Sequence, residues 1–325
     1  MKAFVYQKAH PLNEFALNQQ DLPDPKPGPL DLLVRVKAFS CNPVDYKIRQ
    51  SRHAEDAPVI LGWDAAGVVE AVGSEVRDFS VGDEVYYAGD LNRPGSYAEL
   101  QTVDHRLAAQ KPALLDFADA AALPLTALTA YEALLERGVH YTGATKALII
   151  GGAGGVGSIA IQLLKAETQA TVIATATRPE TIAWVKKMGA DRVIGRDLKE
   201  GLPGGGPGLD VIFSTTHTAD YLAVLPELLR PFGHLMVIDD PATLDIVPFK
   251  WKALSVHWEF MFSKSVFGYH LETQGDILRK VAAMVDTGRV KSTRSKTLTA
   301  NEDNLRSAHQ ALEQGSAVGK IVMQW

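Results

Sequence analysis

Cysteine is nearly absent from this chain: Cys41 is the only one in 325 residues. That excludes an intramolecular disulfide and any multi-cysteine zinc site, and it fits a reducing compartment. No apolar stretch approaches the roughly 20 residues of a membrane span. Met1–Gln7 lacks the apolar core of a secretory signal and reads as a first strand. A cytoplasmic location is therefore expected. Lys/Arg-rich runs are also missing and the net charge is −5, so the footprint of a nucleic-acid binder is absent. The nine histidines form no His-x-x-x-His pair on a convincing helix, so isolated metal binding is not expected from them.

What is present is a chain longer than one compact core usually uses, so two domains are the default. The first ~115 residues carry short β-like runs and turn punctuation, including Asp31–Phe39, Gly67–Gly73 and Asp83–Tyr87. The Pro-dense stretch Asp21–Pro29 is a surface loop. From Phe117 onward, helix and strand patterns alternate, which calls for βαβ units and a parallel sheet. Asp119–Gly138 reads as a helix that Pro124 kinks or breaks. Lys146–Ile150, Thr171–Ala176, Val193–Ile194, Val211–Ser214 and His234–Ile238 read as strands. Val156–Glu167, Pro179–Met188 and Ala219–Leu229 read as helices, and Gly204–Gly208 as a flexible loop. Ala253–Phe262 is an aromatic-rich strand candidate. Leu271–Thr287 and a segment near Asn304–Leu312 are helices, and Lys320–Trp325 is a last strand.

The strongest signal is Gly152-x-Gly154-x-x-Gly157, directly after an apolar strand and opening an apolar helix. One glycine permits the tight turn, the next lets backbone approach a pyrophosphate, and the third lets helix pack against strand. The helix N-terminus then offers unpaired N–H groups from Gly155 and Val156 to phosphates. A free ribose would call for an acid about 20 residues on, at the end of the second strand. In its place stand Thr175, Thr177 and Arg178. An arginine there suits a 2′-phosphate, so NADPH is the expected cofactor, with Arg196 a further candidate partner for that phosphate.

Cys41-Asn42-Pro43-Val44-Asp45, Leu61–Val69, Val81–Val85, Thr129-Ala130-Tyr131 and the glycine turn together carry a resemblance. The chain resembles the medium-chain dehydrogenase/reductase superfamily, in its quinone oxidoreductase (zeta-crystallin-like) branch and its "zinc-type alcohol dehydrogenase-like" group. The resemblance implies an α/β protein of two domains. A GroES-like, mostly antiparallel β catalytic domain would take residues 1–118 and 264–325, and a doubly wound Rossmann domain 119–263. It implies a nicotinamide in the cleft between them, touched by Thr129. It also implies a homodimer or tetramer joined through an edge strand, for which 253–262 is the candidate.

The metal-dependent members place zinc ligands where this chain has Asn42, Trp63 and Leu125. Indole and isobutyl groups have no lone pair for zinc, and an amide is a poor ligand. No metal is therefore expected. Without a Lewis acid, reduction of a quinone or an α,β-unsaturated carbonyl is easier than alcohol oxidation, because the developing charge needs only hydrogen bonds and a proton. The loop Asn42–Lys47 is the candidate source of those groups. Asn42 would donate its amide N–H, Tyr46 or Lys47 a proton, and Asp45 would orient the loop. Competing readings are a zinc-dependent alcohol dehydrogenase with atypical ligands and a non-enzymatic NADPH-binding protein.

Overall fold

The computed structural model describes residues 1–202 and 208–325. Most of the expected Gly204–Gly208 loop lies outside the described residues. The chain divides into two compact units. The first comprises Met1–Leu125, Phe262–Gly288 and Ser292–Trp325, and the second Thr126–Met261 with Arg289–Lys291.

The first unit is built from two sheets. Strands β1 (Lys2–Tyr6), β2 (Asn18–Asp21) and β4 (Val59–Ile60) form a small antiparallel sheet in the order β2-β1-β4. The larger sheet runs β15-β16-β3-β5-β6-β8, with β7 also pairing β3. Its members are β3 (Asp31–Ser40), β5 (Ala65–Val72), β6 (Glu84–Tyr87), β7 (Leu100–Asp104), β8 (Ala108–Gln110), β15 (Arg294–Thr299) and β16 (Lys320–Gln324). All its pairings are antiparallel except β15 with β16. Alternation in β3 puts Leu32, Val34 and Val36 inside, as a half-buried strand requires. The last strand thus pairs with one from the first forty residues: Val322, Met323 and Gln324 lie opposite Ser40, Phe39 and Ala38.

Four helices of this unit matter below or close it: α1 (Pro43–Ser51), α2 (Phe117–Ala121), α10 (Glu272–Asp286) and α11 (Glu302–Glu313). Pro124 does break the expected 119–138 helix, and it opens α3 (Pro124–Leu135), where its missing N–H costs nothing. α10 stops at Gly288, whose φ of 75° and N–H bond to the Val285 carbonyl form the left-handed cap that glycine alone adopts freely. Asn301 caps α11 by accepting the Asn304 N–H at 2.8 Å.

The second unit holds a six-stranded sheet, parallel throughout, in the order β11-β10-β9-β12-β13-β14. Its strands are β9 (Lys146–Ile150), β10 (Thr171–Thr175), β11 (Arg192–Ile194), β12 (Leu209–Ser214), β13 (Leu229–Val237) and β14 (Ser255–Trp258). The central β9 is buried at every residue after Lys146, as a strand covered on both faces must be. Helices α4 (Gly155–Glu167) and α5 (Pro179–Lys187) follow β9 and β10. The remaining helices of this unit are short: α6 (Leu198–Gly201), α7 (Thr218–Tyr221) and α8 (Leu225–Leu228); the equally short α9 (Phe262–Phe267) belongs to the first unit. The expected single helix 219–229 is thus two separate turns. Pro226 has no N–H to continue a helix from Leu222, and its ring clashes with that carbonyl. The expected strand 253–262 shortens to β14, because α9 begins at Phe262.

Candidate functional site

In the second unit, the order 3-2-1-4-5-6 puts the crevice of a doubly wound sheet at the carboxyl end of β9. The glycine turn lies there. Gly151 takes a φ of 80° and donates its N–H to the Thr175 hydroxyl at 2.9 Å, so the end of β10 pins the start of the turn. A Cβ on Gly152 would come within 2.8 Å of the Ala174 Cβ, and one on Gly157 within 2.3 Å of the Gly151 carbonyl oxygen. Those two glycines are fixed by internal packing. Gly154 is different: its nearest neighbour would be 3.5 Å away, and its φ of −71° suits any residue. Nothing within the unit explains the missing side chain, whereas a diphosphate lying against the backbone does. Gly155 and Val156 open α4 there, half-buried. The residues present therefore fit a dinucleotide.

Around the ends of β10 and β11, Thr177 is exposed and lines a groove of about 570 Å³ with Ile182, Lys186, Arg192 and Ile194. Arg178 is exposed beside it and ion-paired with Glu180 at 2.7 Å. Arg196 is exposed after β11. Thr129 is buried in α3. Reading the second-strand end for an acid misses Glu180, which sits two residues beyond Arg178, and misses Lys186 and Arg192, which reach the groove from elsewhere.

In the first unit, α1 carries Asn42 as its N-cap, with Tyr46 and Lys47 half-buried on the helix. Pro43 at the first helical position and Asp45 at the third start this helix locally, since Asp45 accepts the Asn42 N–H at 2.6 Å. Asn42 itself is 1% exposed. Where the sequence aims its amide at a substrate oxygen, the structure turns both N–H groups inward. They go to Asp64 Oδ2 at 3.1 Å and the Ser40 carbonyl at 3.4 Å.

Asp64 is wholly buried. Its Oδ1 accepts the Leu125 N–H at 3.0 Å, and its Oδ2 accepts the Ser40 hydroxyl at 2.7 Å and the Lys320 ammonium at 3.0 Å. Trp63 is also wholly buried and donates its indole N–H to the Asp90 carbonyl at 2.9 Å, which makes it core. The Asn42 amide and the Leu125 backbone N–H therefore both meet the Asp64 carboxylate, and the Asn42 amide oxygen also meets the Lys320 ammonium. Among the described residues no group of three or more His, Cys, Asp or Glu side chains could hold a metal. The side chains at 42, 63 and 125 do not fit zinc.

Behind Asp45 runs a directed chain. Arg49 has only donors, so its guanidinium, 3.2 Å from His309 Nδ1, makes that nitrogen the acceptor. The imidazole proton therefore sits on Nε2, which donates to the Tyr97 hydroxyl at 3.2 Å, and Tyr97 donates to Asp45 Oδ2 at 3.0 Å. Arg49 closes the far end on Glu313. Burial raises the Asp45 carboxyl to about 7, against the opposing pull of the Asn42 N–H, Tyr97 and Lys320. Burial, with the Arg49 charge, lowers His309 to about 3 and keeps it neutral. Burial raises the Cys41 thiol to about 12, so it is unreactive.

A doubly wound dinucleotide sheet joined in one chain to a GroES-like β unit defines an α/β oxidoreductase. Residues 28–113 match the alcohol dehydrogenase GroES-like domain and residues 188–323 the zinc-binding dehydrogenase model. A zinc-type alcohol dehydrogenase-like protein of Staphylococcus aureus (strain COL) is 37% identical over 340 residues, covering 99% of each chain. The 2-methylene-furan-3-one reductase of Solanum lycopersicum is 31% identical, over 99% of this chain and 79% of its own. A solved structure from Rhizobium etli CFN 42, which carries a zinc-dependent alcohol dehydrogenase name, superposes with a TM-score of 0.95. It is 45% identical over 100% of this chain and 98% of that one. The chain belongs to the medium-chain dehydrogenase/reductase superfamily, in its zinc-type alcohol dehydrogenase-like group.

Proposed function

We propose that this oxidoreductase is an NADPH-dependent, zinc-independent reductase of quinones or α,β-unsaturated carbonyls. The observation that carries the reading is Gly154, a glycine with no internal steric reason at the mouth of a turn built to meet a diphosphate. The tomato relative is named for reducing a conjugated ketone, which supports the enone class.

Gly154, Gly155 and Val156 would hold the diphosphate on backbone N–H groups at the start of α4. Gly152, Gly157 and Thr175 keep that backbone in place, and Thr129 would border the nicotinamide. Arg178, having left Glu180, would take the 2′-phosphate, with Thr177, Lys186 and Arg192 in the adjoining groove and Arg196 beyond it. When bound, NADPH supplies the hydride. Tyr46 or Lys47, half-buried on α1, would deliver the proton that the reduced carbonyl or quinone oxygen takes up. Asn42, held from within, fixes where α1 starts. A two-fold pairing of β14, an edge strand of the six-stranded sheet, would join two copies.

The test is NADPH oxidation followed with a panel of quinones and enones, together with metal analysis of the purified protein. Turnover without bound zinc is expected. Tight NADPH binding with no turnover on any acceptor, or stoichiometric zinc, would overturn the reading.

A further inference from the structure

Lys320 opens β16, yet only 3% of it is exposed. Its ammonium donates to the Cys41 carbonyl at 3.2 Å, to Asp64 Oδ2 at 3.0 Å and to Asn42 Oδ1. An ammonium has three hydrogens, and here there are three acceptors. Asp64 is equally saturated, with its two oxygens receiving Leu125 N–H, Ser40 O–H, Asn42 N–H and the ammonium. An isolated charge could not be kept at such depth, but this pair is neutral overall and leaves no polar atom of either partner idle. The Asn42 amide is gripped at both ends, its oxygen by Lys320 and its nitrogen by Asp64. Such a grip fixes the amide plane at the N-cap of α1, one turn before Tyr46 and Lys47.

We infer that Lys320 is the resident cation of this cage and a positioning residue for α1: its ammonium, neutralising Asp64, holds the Asn42 amide from which α1 starts. The inference rests on the reductase reading for what α1 does, but not for the cation cage itself. A carboxylate, an amide oxygen and a backbone carbonyl form an oxygen cage that needs a positive centre. The chain supplies that centre covalently, from its own last strand.

The experiment compares Lys320→Ala, Lys320→Arg and the charge-neutral double variant Lys320→Met/Asp64→Asn, the last guarding against simple misfolding of the single variant. Measured are the melting temperature, NADPH affinity by fluorescence, and kcat and KM with the best acceptor. Lys320→Ala and the double variant should lose at least tenfold in kcat, with NADPH affinity within about twofold of the parent. Lys320→Arg should keep more activity than either. n-Propylammonium, which replaces the atoms removed in Lys320→Ala, should raise both the kcat and the melting temperature of that variant and leave the parent unchanged. Parental kinetics in the double variant would overturn the inference, as would a folded Lys320→Ala protein that neither arginine nor n-propylammonium improves. If the parent turns over no acceptor, the reductase reading fails, and the cation cage is still decided by the melting-temperature response to n-propylammonium.

Discussion

Arg178 leaves β10 with its guanidinium on Glu180 rather than in open solvent. An exposed pair of this kind contributes only about 0–1 kcal/mol, so a phosphate dianion can replace the carboxylate. Charge-assisted contacts of about 1.5–3 kcal/mol make Arg178→Ala roughly 10- to 100-fold weaker for NADPH, with NADH little changed. Glu180→Gln should tighten NADPH a few-fold by releasing the arginine, and titration calorimetry with both nucleotides checks the pair. Asp45 and His309 make a second residue-scale prediction, because their shifts oppose one another. Folded Asp45 holds its proton up to about 7, so the stability it adds is complete below the ordinary carboxylate range and is lost as pH rises through 7. Folded His309 resists protonation down to about 3, so its contribution is present above the ordinary imidazole value and is lost as pH falls towards 3. Across the shared window the two slopes offset. Asp45→Asn should expose the histidine slope, with stability falling on acidification. His309→Gln should expose the aspartate slope, with stability rising on acidification. Urea midpoints at pH 4.5 to 7 read both, and parallel curves for the two variants would contradict the assignment.

The turn between β9 and α4 separates folding from binding within six residues. Gly157→Ala drives a Cβ to 2.3 Å from the Gly151 carbonyl oxygen and 2.8 Å from the Gly152 Cα, both rigid backbone. It should cost about 1–3 kcal/mol of stability as well as cofactor affinity. Gly154→Ala meets nothing closer than 3.5 Å, so the melting temperature should stay at the parental value. NADPH binding should nevertheless weaken by about tenfold or more, the equivalent of about 1.4 kcal/mol, because the methyl group enters the diphosphate's space. Equal losses of stability in the two variants would mean that Gly154 also serves packing. The glycine spacing was legible in the sequence because strand, turn and helix are consecutive. The split of 219–229 into α7 and α8 was less so: its apolar periodicity suits one helix, and only the position of Pro226 argues against it.

At the scale of the whole molecule, β14 is an edge strand of the six-stranded sheet among the described residues, and Trp258 and Phe260 are 52% and 51% exposed beside it. A sheet edge with exposed aromatics beside it is a template for a second copy. If two copies pair there as proposed, Trp258→Lys with Phe260→Lys should shift the light-scattering mass down to that of the 35.2 kDa monomer, and a parental mass in the double variant would rule that edge out. No helix among the described residues is long and apolar enough to cross a membrane.

The sequence by itself determined the parallel sheet, the glycine turn and the absence of zinc-binding side chains at 42, 63 and 125. Each of these is written in neighbouring residues or in the chemistry of a single side chain. Only the tertiary structure decided what surrounds Asn42. Lys320 and Asp64 are 256 residues apart and meet because β16 closes onto β3, which brings the chain's last strand against its first forty residues. No local period or spacing encodes that meeting, because a buried charge pair is specified by long-range strand register, and register is settled only when the whole sheet forms.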